Sequence, residues 1–132
     1  QQGESIADVC QRIKIVLDTL DRENDKKNVV IVCHGHVIRT FMIILNRLSL
    51  KKTNEFLMTT EEWGRVPNCS IVHYTRENPH DKQLGLSDRF DWYRMIRPSG
   101  GGEKEDKFSD IVRTKFSNED LLLEAEHNRD KK

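Results

Sequence analysis

The sequence predicts an α/β fold, a three-layer α/β/α arrangement around a mostly parallel sheet, and two features of one short stretch predict it. Val29 to Cys33 is an apolar, largely β-branched run with no polar alternation, as in a strand covered on both faces. It leads through His34-Gly35-His36 straight into Val37, Ile38, Phe41, Met42, Ile44, Leu45 and Leu48, which recur at helical spacing. A strand that turns directly into a helix is the unit from which parallel sheets are built.

Ahead of that stretch, Ser5-Ile6-Ala7-Asp8 has the form of a capping box, and Ile6, Val9, Ile13, Val16, Leu17 and Leu20 mark one face of a helix that fades in the charged turn Asp21 to Lys27. Beyond it, Thr53 stands as the N-cap of a short helix running through Trp63, and Pro67-Asn68 breaks the chain. Ser70 to Thr75 reads as a second strand. Phe90 to Arg97 alternates as a third, placed to pair with the second as a hairpin across the polar stretch Glu77 to Arg89. Residues 1–98 then form the domain, and 99–132 a charged, mobile tail that opens on Ser99-Gly100-Gly101-Gly102; within it Ser117-Asn118-Glu119-Asp120 caps a short terminal helix. A strand apolar on both faces needs neighbours on either side, and two further strands are few. The remaining neighbours are expected from a missing N-terminal half or an oligomer partner.

A chain of 132 residues is at most one domain, and its 22 basic and 22 acidic side chains cancel. That balance gives no electrostatic case for nucleic acid or an acidic membrane, and points to a small-molecule partner. There is no apolar run of about 18 residues or more, and no basic-then-apolar start with a cleavage site. Three cysteines, Cys10, Cys33 and Cys69, are an odd number, two of them in apolar segments, which favours reduced thiols and a cytoplasmic setting. Cys69 is expected in the core.

At the strand-to-helix junction Gly35 lets the backbone turn tightly and approach a ligand, while the free N–H groups of the helix point back over the strand end. Phosphate is the natural guest of such an end. His34 stands at the junction, and His36 starts the helix, facing solvent or lending one hydrogen bond to substrate. Arg39, a cation near a helix N-terminus, calls for an acidic partner, for which Glu4 is the candidate. Asp8 and Arg12, four residues apart, are placed to pair along their helix.

These residues resemble the histidine phosphatase superfamily, which includes the phosphoglycerate mutase-like enzymes. The likeness lies in Gly3-Glu4-Ser5 leading into a helix with Asp8 and Arg12, in Val29 to Arg39 with His34-Gly35 and Ile38-Arg39, and in Pro67-Asn68-Cys69-Ser70-Ile71 opening the next strand. It runs from about Gln1 to Thr75 and matches the C-terminal half of such a domain. The resemblance implies a phosphomonoester hydrolase, with no metal or other cofactor, acting on a small phosphorylated substrate or a phosphoprotein through a phosphohistidine. The attacking histidine of the family sits in an arginine-histidine-glycine motif that this sequence does not contain, so that histidine and the general acid are expected in an N-terminal half outside it. His34 maps to the family's second histidine: by resemblance it donates a hydrogen bond to the equatorial oxygens of the transferring group, with the Gly35 backbone and the helix N-terminus adding support. Phosphate binding would then be coupled to protonation of His34. Asn68 and His36 are candidates for the substrate rim.

Three other readings compete. Cys33, five intervening residues, Arg39 and Thr40 match the loop of cysteine-dependent phosphatases, in which a thiolate acidified at a helix N-terminus attacks phosphorus and the arginine clamps its oxygens. Two β-branched residues, Val37 and Ile38, and a single glycine make a tight phosphate cradle harder to form there. His34 and His36 also have the spacing of metal ligands at a strand end, but His73, His80 and His127 supply no distinctive third position. Finally, the same pocket serves binding or regulation in a non-catalytic relative.

Overall fold

The computed structural model describes residues 3–59, 65–98, 107–113 and 117–129, with the side chains of Glu124 and Asn128 left out. Among the described residues the fold is mixed α/β: four α-helices, α1 (Ile6–Glu23), α2 (Gly35–Leu45), α3 (Leu50–Met58) and α4 (Asn118–Arg129), a short 3-10 turn (Lys82–Leu84), and a sheet of three strands, β1 (Ile71–Thr75), β2 (Trp92–Ile96) and β3 (Ser109–Asp110).

The capping box forms as expected. Ser5 Oγ accepts from the Asp8 N–H at 3.2 Å, and the Asp8 carboxylate accepts from the Ser5 hydroxyl at 2.6 Å and the Ser5 N–H at 2.9 Å, which in that order hold its carboxyl below the usual range. Because Asp8 is engaged there, the Asp8–Arg12 pair does not form; Arg12 turns to Glu4, with Nε 2.7 Å from the carboxylate. α1 ends at Asn24, and Lys26 takes a left-handed turn (φ 62°) where the charged segment begins.

Residues 28–33 belong to no helix or strand, and among the described residues their backbone makes no ladder. Val30 and Val32 are 88% and 93% exposed, and Val29 and Ile31 about half as much. The parallel sheet expected around this run is therefore not formed by the described residues; the sheet that forms is antiparallel and lies elsewhere. The strand expected from the apolar pattern is not formed: pairing needs neighbours that the described residues do not supply.

The hairpin forms as the alternation predicts. β1 and β2 pair antiparallel with Val72 opposite Met95 and Tyr74 opposite Tyr93, so these four side chains share one face. α2 and α3 cover that face, and Met42, Ile43, Phe56 and Met95 make the buried core. The partly buried Tyr74 hydroxyl donates to Asn46 Oδ1 at 3.0 Å, and burial, the largest influence, raises its pKa far above the ordinary value, so the phenol stays protonated. α1 packs against α2 on the other side.

Three expectations change here. The cap of α3 is Ser49, whose Oγ accepts from the Lys52 N–H, and Thr53 lies inside the helix. The chain turns helical earlier because Ser49 precedes Leu50 directly; the rest of the helix expected through Trp63 falls outside the described residues. Cys69 is exposed in the turn after Pro67-Asn68, with φ 63°, not buried in the core. The boundary at 98 leaves out residues 107–113, yet Ser109–Asp110 pair with β2, Ile111 is buried, and Arg113 bonds Asp91 and the Phe90 carbonyl. Ser87 Oγ and Arg113 hold the Asp91 carboxyl below its usual range. High charge nearby hid the two apolar anchors, Phe108 and Ile111. The terminal helix α4 does form, with Ser117 and Asp120 in a capping box.

Phe56, 2% exposed, is the largest side chain fully enclosed in the core. Phe56→Ala should cost about 3–5 kcal/mol of stability, read from urea unfolding followed by circular dichroism.

Candidate functional site

His34 is the N-cap of α2: its backbone is still extended (φ −95°, ψ 162°), and its carbonyl accepts the first helical bond from Ile38 at 3.0 Å. Its imidazole is exposed and makes no capping bond. The N-termini of α1, α3 and α4 each receive a serine hydroxyl, from Ser5, Ser49 and Ser117. At α2 no side chain does this, and among the described residues no acceptor meets the amides of Gly35, His36 and Val37. Three N–H groups and an imidazole thus gather at one helix end, where the helix dipole favours an anion.

Gly35 does not serve the purpose the sequence suggests. Its φ is outside the left-handed region, it is the first residue of α2, and a Cβ built on it would touch only the Val66 carbonyl, at 4.0 Å. The turn does not require glycine; what the missing side chain leaves is open space beside the free amides.

Arg39 also departs from expectation, since Glu4 is taken by Arg12. Its guanidinium lies over the Phe56 ring, 5.1 Å from the centroid, and Nη2 donates to the Phe56 carbonyl. Its Nε–H is buried with no acceptor. Cys33 is half-buried, and burial pushes its thiol up. That is the reverse of the acidification the cysteine-phosphatase loop needs, and the arginine of that loop is engaged with Phe56.

Asn68 is exposed in the turn before β1, and β1 pairs with β2, not with residues 29–33. The segment nevertheless reaches the site one step earlier. Val66 and Pro67 join Gly35, His36 and Arg39 in lining a cleft of about 270 Å³, and Arg65 lines it as well. Arg65 escaped the sequence reading; its one signal is a cation two residues ahead of Pro67-Asn68. Among the described residues no three His, Cys, Asp or Glu side chains come together as a metal site, so His34 and His36 find no third ligand there.

Residues 1–86 match the histidine phosphatase superfamily (branch 1). The chain belongs to this superfamily. No curated protein and no solved structure gives a significant match. The superfamily segment takes in α1, the exposed strand-like run, the α2 terminus, the cleft and β1, so the two arginines of the cleft lie within it, while β2 and β3 lie beyond. No helix among the described residues is long and apolar enough to cross a membrane.

Because burial disfavours the thiolate, Cys33 should alkylate with iodoacetamide more slowly than exposed Cys69 at neutral pH, and its rate should still be climbing above pH 9. Peptide mass spectrometry reads both sites; a Cys33 rate that levels off below neutrality would restore the thiol mechanism.

Proposed function

We propose that this superfamily member hydrolyses a phosphomonoester through a phosphohistidine, with His34 and the amides of Gly35, His36 and Val37 holding the transferring phosphoryl group. The observation that carries this reading is the exposed imidazole at an uncapped helix N-terminus. The phosphoryl group leaves the substrate oxygen for a histidine nitrogen: the ester P–O bond breaks, a P–N bond forms, and the departing oxygen takes a proton from a general acid. Water then attacks phosphorus, returning a proton to the deprotonated general acid as the P–N bond breaks, and frees phosphate and the histidine. Through both steps His34 and the three amides meet the charge on the equatorial oxygens. Attacking histidine and acid come from an N-terminal half that also supplies strands beside Val29–Cys33, completing a three-layer, mostly parallel sheet. The unpaired backbone of that run and the absence of an arginine-histidine-glycine motif from this sequence support the division. Asn68 and His36 border the substrate, and the three free cysteines fit a cytoplasmic setting. Hydrolysis is preferred to mutase chemistry, which must shelter the phosphoenzyme from water while the product rebinds; this chain's cleft is open.

A second reading, a phosphate-binding module without catalysis, draws on that same missing motif. Incubating the complete protein with a labelled phosphomonoester separates them. Catalysis predicts acid-labile, alkali-stable label on histidine. His34→Ala should slow its formation about 100-fold or more, and Gly35→Ala should weaken phosphate binding while leaving stability unchanged or slightly raised. Phosphate binding without label would favour the module, and an unaltered rate in His34→Ala would remove His34 from the chemistry.

A further inference from the structure

We infer that residues 107–113 are a releasable strap on the edge of β2 that faces away from β1, held down while the His73 imidazole is neutral and let go when that ring takes a proton. The device stands apart from the phosphoryl chemistry: β2 and the strap both lie beyond the superfamily segment, which ends at residue 86.

Little backbone holds the strap. β3 is two residues long, pairing Asp110 with Trp92 and Ser109 with Tyr93, and the Ile111 N–H adds one bond to the Asp91 carbonyl at 2.8 Å. Side chains therefore decide whether it stays docked. Ile111 is buried, and Arg113 reaches the Asp91 carboxylate and the Phe90 carbonyl. Phe108 closes a row that crosses all three strands, in which His73 of β1 stands opposite Arg94 of β2. Arg94 Nε donates to His73 Nδ1 at 3.3 Å, and its guanidinium lies over the Phe108 ring, 4.7 Å from the centroid. The His73 and Phe108 rings meet edge to face with centroids 5.3 Å apart.

This row requires a neutral imidazole. Nδ1 accepts only while it carries no proton; protonated, it sets donor against donor and cation against guanidinium. Arg94 cannot discharge, so the pair must part, and Phe108 loses the partners that seat it. Burial first, and Arg94 second, already hold the His73 pKa below its ordinary value. With the strap away the ring is less covered and takes its proton more readily. Docking is therefore complete above about pH 6.5 and weakens as pH falls through that value.

The other charged groups around the row do not supply this switch. Asp91 is held below the usual carboxylate range and stays paired with Arg113. Arg76, just past β1, is turned to Asp25 and the Ser87 carbonyl. Asp110 stands opposite Trp92, one pair along, and like Lys107 is exposed to water, so its pull on an imidazolium is weaker than the push of the hydrogen-bonded Arg94. α2 and α3 cover the opposite face of the sheet.

Amide exchange read by NMR on the complete protein tests this. Corrected for intrinsic exchange, protection of the Ile111 N–H should fall about fivefold between about pH 7.5 and about pH 5.5, while the β1 amides keep theirs. His73→Gln keeps an acceptor for Arg94 in a group that takes no proton, and should abolish the fall. Conversely, Phe108→Ala, which frees the strap, should raise the midpoint of the His73 imidazole titration. Unchanged Ile111 protection overturns the inference, as do β1 amides that lose protection in step, a fall that survives in His73→Gln, or a His73 midpoint that Phe108→Ala leaves in place.

Discussion

A backbone withdrawn from water must hydrogen-bond, and among the described residues the backbone of residues 29–33 has no protein partner. Val30 and Val32 lie almost wholly in solvent and Val29 and Ile31 nearly half so, on a run that has no ladder on either edge among the described residues. Burying them is worth about 25 cal/mol for each Å² of apolar surface, so under the proposed function this run is where partner strands would gain most by pairing. The order of the site depends on the same run, because its last residue delivers the chain to His34 and sets the direction in which α2 begins.

From that junction the chemistry follows by simple electrostatics. α1, α3 and α4 spend a serine hydroxyl at their first turn, and α2 does not, so its dipole and free amides face outward beside an imidazole. Core packing holds this end still. Met42 and Ile43 of α2 are locked with Phe56 and Met95, and Phe56 in turn fixes Arg39 from behind. The hydrophobic core and the cationic cleft share one aromatic ring, and that links stability to recognition.

Much of this was legible in the residues. The capping box, the α2 stripe and the hairpin each follow a local rule, with period or cap chemistry intact, and the structure has all three. His34 and Gly35 stand out in the sequence because an apolar run, a glycine and a helix meet there, and the structure places them at the N-terminus of α2. What was not legible depended on competition between partners. Glu4 was a fair candidate for Arg39, but Arg12 lies on the adjoining turn of α1 and captures it, leaving Arg39 to an aromatic ring and a carbonyl 17 residues away in sequence. Ser49 outcompeted Thr53 by position, and Ile111 was hidden in a charged segment. Arg65 has no periodic or motif signal at all; only the approach of Val66 to Gly35 brings it to the cleft.

The central claim is that Val29–Cys33 is an interior strand whose neighbours come with the nucleophile-bearing half. Amide hydrogen exchange of residues 29–33, compared between this chain alone and the complete protein, tests it most directly. Exchange close to the rate of an unstructured peptide in the isolated chain, with slowing of about 1,000-fold or more in the complete protein, is the predicted result. Equal exchange in the two, fast or slow, would contradict it.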